Sequence, residues 1–114
     1  MDAMTTDVRV LGLEEDVDHA YIRQKLVRKL AKYWRFIERI SVRLTDVNGP
    51  RGGDDQQCRI EVVLSALPSV VIERRHAQVQ AAVDTAVHAA TEAVRRIVGR
   101  RRMKPLHRRS RAVA

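Results

Sequence analysis

HAYIRQKLVRKLAKYWRFIERI, from His19 to Ile40, is the stretch on which the reading of this chain turns. At 100° per residue, Ile22, Leu26, Leu30, Tyr33, Ile37 and Ile40 fall in one narrow sector, the spacing of a helix face that packs on a core. Lys25, Arg28, Lys32, Arg35 and Arg39 repeat with the same step on a neighbouring sector, and Glu38 is the only acid in the stretch. The spacing therefore predicts one amphipathic helix over 19–40, apolar along one stripe and basic along the next. Few intrahelical pairs are available to neutralise the basic stripe, so its charge points to a polyanionic partner, RNA. A solvated helix face is the alternative use of the same residues.

Outward from this helix the elements follow in a simple order. An acidic turn, Glu14, Glu15, Asp16 and Asp18, precedes it and suits the positive end of a helix, with Asp16 or Asp18 as the cap. Upstream, Asp7 to Leu13 alternates around Val8 and Val10 as a short strand. Downstream, Ser41 to Thr45 reads as a strand, and the turn formers between Asp46 and Asp55 can only be a loop. Gln57 to Ser65 puts Cys58, Ile60, Val62 and Leu64 on one face and Arg59, Glu61 and Val63 on the other, a half-buried strand. A short Ala66-Leu67-Pro68 connection leads to a strand over Ser69 to Arg75. Both connections are short enough for antiparallel hairpins. A second amphipathic helix runs from about His76 to Gly99, with Val79, Val83, Ala86, Val87, Ala90, Val94 and Val98 on its apolar face and Gly99 as its stop.

The order β-α-β-β-β-α predicts a two-layer α+β domain, a four-stranded sheet with two helices packed on one face. Its other face is left relatively exposed, with Arg43, Arg59 and Glu61 pointing outward. Residues 1–99 form this domain. Residues 100–114 carry no apolar period, Pro105 interrupts a helix there, and a basic tail without fixed structure is expected.

With 114 residues the chain holds one core of modest size. No apolar run is long enough for a membrane span, and the amino end lacks the charged and apolar blocks of a signal peptide, which places the protein in the cytoplasm. The net charge of +8 is unevenly spread: residues 1–94 hold 13 of the 22 Lys and Arg and all 14 acids, while 95–114 hold nine basic residues and no acid. Such a carboxyl end favours polyanions through counterion release, without sequence preference.

Site by site, the chemistry thins out. Cys58 is the only cysteine, which excludes an internal disulfide and a cysteine-rich zinc site, and its inward position makes it a core thiol rather than a nucleophile. His19, His76, His88 and His107 share no metal-ligand spacing. Gly49-Pro50-Arg51-Gly52 matches GxxG formally but joins two strands rather than two helices, and no Gly-Lys-Ser/Thr follows to make a phosphate loop. Arg51 at that tip is read as a solvated charge, and Trp34 as an edge of the core. Neither an acid-base pair nor a nucleophile-base pair is present, so an enzyme, a cofactor, a metal and a small-molecule substrate are not expected.

Lys29-Leu30-Ala31-Lys32 with Arg35-Phe36-Ile37-Glu38-Arg39-Ile40, and above all Leu44-Thr45-Asp46-Val47-Asn48-Gly49-Pro50-Arg51-Gly52-Gly53 followed by Asp55, Cys58 and Ile60-Glu61, resemble the ribosome hibernation promoting factor and ribosome-associated inhibitor family. Ala81-Ala82-Val83-Asp84 resembles the start of its second helix, and the similarity covers about residues 7–98. The resemblance implies a fold similar to a double-stranded RNA-binding domain. It also implies a cytoplasmic protein, acting as a monomer like the family's short form, that docks on small-subunit rRNA and occludes tRNA and mRNA sites during stress. The family's rRNA contacts come from basic helix residues, which here are Lys25, Arg28, Lys32, Arg35, Arg39, Arg95 and Arg96, continued by Arg100, Arg101 and Arg102. Ala89 and Glu92 stand where the family often carries basic residues. That departure keeps open a second reading, a diverged member acting as a protein-protein or non-specific RNA-binding module.

Overall fold

The structure, a computed structural model, describes residues 7–13, 17–47 and 55–113, with side chains described as far as Arg100. Strand β1 (Asp7–Leu11) leads to helix α1 (His19–Lys29), a 3-10 helix (Ala31–Phe36), strands β2 (Ile37–Asp46), β3 (Gln56–Leu64) and β4 (Val70–His76), and helix α2 (Val79–Val113). The strands lie in the order β1-β2-β3-β4. β1 pairs parallel to β2, and β2, β3 and β4 pair antiparallel. α1 leans on β1, α2 covers β3 and β4, and both helices lie on the sheet face that carries Val10, Ile40, Val42, Leu44, Cys58, Ile60 and Val62. The two-layer arrangement expected from the pattern is the one observed.

The first helix is shorter than its periodicity predicts. Asp18 caps it, its carboxylate accepting from the backbone N–H groups of Ala20 at 3.0 Å and Tyr21 at 3.3 Å. The α-helical bonding ends where the Leu30 N–H donates to Leu26. From Ile37 the chain is a strand, so Ile37, Arg39 and Ile40 belong to β2 and not to the helix. The reason is a β-bulge. Ile37 pairs with Leu64 and Arg39 with Val63, leaving Glu38 as the extra residue. Ile37 and Ile40 thereby face the same core although they are three positions apart, a spacing that otherwise signals a helix. Pairing of Ile37 with Leu64 of β3 holds the start of the strand, and parallel pairing with β1 joins from Arg39.

Gly12 closes β1 with φ +95°, and a Cβ placed there would lie 2.1 Å from the Leu44 carbonyl oxygen. Only glycine permits so close an approach of the end of β1 to β2. His19 Nε2 lies 2.7 Å from the Gly12 carbonyl oxygen, joining the same turn to the first residue of α1. At the far end of β2, the Val47 N–H donates to the Asp55 carbonyl oxygen at 3.2 Å and closes the stem of the β2-β3 loop. Gly49-Pro50-Arg51-Gly52 lies outside the described residues.

α2 continues past Gly99 and through Pro105 to Val113, where the sequence reading places a stop at Gly99 and a tail from residue 100. Glycine inside a helix costs about 1 kcal/mol relative to alanine, which a helix anchored over its preceding turns absorbs. A Cβ on Gly99 would meet nothing within 4 Å. Gly99→Ala is therefore expected to raise stability by about 0.5–1 kcal/mol, measured as an increased urea midpoint. A glycine acting as a left-handed helix stop would give a loss instead.

Candidate nucleic-acid interface

The basic residues that periodicity puts on one stripe are divided by the fold among three surroundings. Lys25 lies in the groove between α1 and α2, its side chain 15% exposed and paired with Asp84 of α2. Gln80 donates to the same Asp84 carboxylate at 3.1 Å, so this cluster ties the helices together rather than facing a partner. Arg28, Lys29, Lys32 and Arg35 are all exposed, along the end of α1 and the 3-10 helix. Lys29, which lies off the predicted stripe, is the last residue of α1 and is exposed beside Arg28. Arg39 stands on the opposite face of the molecule: it points outward from β2, away from both helices.

The aromatic floor beneath the cations is buried. Tyr33 and Trp34 belong to the core, while Phe36 is half-buried. Lys32 Nζ sits 6.0 Å from the Tyr33 ring centre and the Arg35 guanidinium 5.5 Å from that of Phe36. Ring faces of this kind hold the stems of the two side chains while leaving the charges in water. Trp34 packs inward as an edge of the core, which removes it as a stacking platform.

α2 brings its later turns up to the 3-10 helix. Arg95 donates to Glu92 at 2.7 Å from its Nη2. That hydrogen bond is the main cause of Arg95's raised pKa, with the charge of Glu92 next and a smaller contribution from Tyr33, which places Arg95 within electrostatic reach of the 3-10 helix. The same contact from Arg95 lowers the Glu92 pKa. Arg95 is thus exposed but paired with Glu92 in its own helix, and Arg96 and Arg100 are exposed as well. Arg101 and Arg102 continue α2, with side chains outside the description. The site that emerges is an exposed cationic ridge, Arg28, Lys29, Lys32 and Arg35, approached by Arg96 and Arg100 from α2. Among the described residues its four leading cations make no ion pair with a carboxylate. Exposed cations of this kind are the groups that can pair with phosphate oxygens.

Among the described residues no three His, Cys, Asp or Glu side chains gather where they could share a metal ion, and no helix is long and apolar enough to cross a membrane. Cys58 is fully enclosed in the core, and burial pushes its thiol up to about 12. At pH 8 a thiol-specific reagent is therefore expected to label Cys58 roughly a thousandfold more slowly in the native protein than in urea, where an ordinary thiol pKa returns. The same shift bears on stability. Because the folded pKa is raised, the contribution of Cys58 is complete below pH 9 and declines as pH rises towards 12.

Residues 16–102 match the model of the family described as Sigma 54 modulation protein / S30EA ribosomal protein. The chain belongs to that family, which consists of ribosome-associated binding proteins rather than enzymes. Among solved structures, the N-terminal domain of Protein Y from Thermus thermophilus is similar, with 25% identity, a TM-score of 0.53, and coverage of 79% of this chain and 93% of that one. A ribosomal subunit interface protein from Coxiella burnetii shares the fold at 14% identity and a TM-score of 0.55, over 80% of this chain and 93% of that one. No curated protein matches the chain in sequence. The resemblance to the hibernation promoting factor and ribosome-associated inhibitor family, read from the residues, agrees with these findings.

Proposed function

We propose that this protein is a cytoplasmic, monomeric translation inhibitor that docks on rRNA of the small ribosomal subunit and occludes tRNA and mRNA sites during stress. The observation that carries this reading is the exposed ridge Arg28, Lys29, Lys32 and Arg35, without a carboxylate partner among the described residues, on a member of a ribosome-associated family. The similar chain from Coxiella burnetii is itself described as a ribosomal subunit interface protein. Rigid packing matters as much as charge: α1 and α2 are tied by Lys25 and Asp84, so the domain can obstruct a channel without deforming. Arg96 and Arg100 extend the ridge, and residues 101–114 add six further Lys and Arg to a basic extension of the domain formed by residues 1–99. Arg95, held by Glu92, contributes less than its neighbours.

Purified protein added to a cell-free translation reaction should stop synthesis at close to one molecule per ribosome. Excess initiator tRNA should relieve the block. Translation unaffected at a tenfold molar excess would overturn the proposal. It would favour the second reading, a module with another protein or RNA partner, for which the pairing of Lys25 with Asp84 and of Arg95 with Glu92 provides the motive.

A further inference from the structure

The open face of the sheet, turned away from both helices, carries its own cationic depression. Arg9 and Leu11 of β1, Ser41 and Arg43 of β2, and Arg59 and Glu61 of β3 line a concavity of about 260 Å³. The register explains the cluster. Arg43 lies directly opposite Arg59, and next to Leu11 on the other side, while Ser41 lies between Arg9 and Glu61. Like charges directly opposite each other on adjacent strands destabilise a sheet. Arg59 is answered by Glu73 at 3.2 Å and Arg9 by Asp7 at 3.1 Å. Arg43 has no carboxylate partner among the described residues, and neither has Arg39, two positions along β2 on the same face. Glu61 offsets part of the charge, but the face keeps an excess of guanidinium. Leu11, 48% exposed, supplies apolar surface in the concavity, and Val71, 47% exposed and opposite Glu61, lies on the same face.

From this arrangement we infer that the open sheet face is a second RNA-binding surface, taking the backbone of a single RNA strand with a phosphate between Arg43 and Arg59. Planar guanidiniums suit bidentate contact with phosphate oxygens, Ser41 offers a hydroxyl to the same group, and Leu11 suits the apolar face of a ribose or base. The charge excess selects a polyanion, and the small concavity, open to water, fits a sugar-phosphate unit better than a folded domain. Two opposed faces would let one domain hold two RNA strands at once. This rests on the proposal that the partner is RNA and adds a face to it.

The test is a titration of the full chain with a twelve-residue oligouridylate, followed by backbone amide shifts and by anisotropy over a salt series. In a variant with Arg28, Lys32 and Arg35 replaced by Glu, the oligonucleotide should still shift the amides of Arg9, Ser41, Arg43 and Glu61. Adding Arg39→Gln and Arg43→Gln should remove those shifts. In the otherwise native chain the same two substitutions should weaken binding roughly tenfold and make the salt slope shallower by about 1.4. Their amide spectrum without RNA checks that the sheet is intact. Sheet amides that do not move, or an unchanged slope, would overturn the inference. Ribosome binding with still sheet amides would remove this face and leave the proposed function; moving sheet amides without ribosome binding would do the reverse.

Discussion

Replacement of Arg28, Lys32 and Arg35 together by Glu is expected to abolish co-sedimentation with small subunits, lowering affinity by a hundredfold or more at physiological salt. Three cations removed and three anions introduced turn the centre of the ridge from attraction to repulsion, and the effect of each phosphate contact multiplies with the others. All three side chains are exposed, and none is engaged with a carboxylate among the described residues. The ring contacts of Lys32 and Arg35 are worth about 0.5–1 kcal/mol each at such exposed sites. The variant should accordingly fold, with an unchanged far-ultraviolet spectrum and a slightly lower midpoint. Co-sedimentation that survives the triple reversal would remove the ridge from the binding surface.

Gly12→Ala is expected to be the most destabilising single change described here, about 3–5 kcal/mol. Two independent costs add. Alanine at φ +95° occupies a region in which L residues carry about 1–3 kcal/mol of strain. Its Cβ, 2.1 Å from the Leu44 carbonyl oxygen, would also force β1 away from β2. The moving partner is backbone in the middle of the sheet, so no side-chain rotation relieves it. A loss of that size takes a large share of the 5–15 kcal/mol that holds an ordinary domain together. In urea the midpoint should fall by about 2 M with little change in slope. A midpoint within experimental error of the native protein would mean that the end of β1 does not approach β2 so closely.

Much of this architecture was legible because its signals are local. Asp18 as a cap, the alternation of Cys58, Ile60, Val62 and Leu64, and the alanine-rich face of α2 each follow from a period or a cap that needs no knowledge of the rest of the chain. The failures share a different origin. Ile37 and Ile40 mimic a helical step because the bulge at Glu38 inserts one residue into a strand, and a bulge is set by the partner strand, not by the residues that carry it. Moving that boundary carries Arg39 from the predicted basic stripe to the opposite face of the molecule. Lys25 was legible as a cation but not as a structural one, since Asp84, its partner, lies 59 positions away. Gly12 sits unremarked after β1. Only the approach of Leu44, a contact made by tertiary structure, shows why no other residue fits. Gly99 was read as a stop from its local signal, and the helix anchored over the preceding turns runs on through it.

This division explains how the same composition supports two different surfaces. The ridge is built at the point where α1 gives way to 3-10 winding, over Tyr33 and Phe36, and its charge is left exposed because the nearby acids, Glu92 and Asp84, are already engaged with Arg95 and Lys25. The sheet face owes its arginines to strand alternation and register alone. Among the described residues neither surface gathers a reacting group, and what both offer is exposed guanidinium and ammonium charge.

Sedimentation of ribosomal subunits with the purified protein over a salt series, with and without tRNA, tests the central claim most directly. Near one-to-one binding to small subunits at physiological salt, declining as salt rises and displaced by tRNA, is the predicted result. Binding that tRNA cannot displace, or no binding to small subunits at that salt, would contradict it.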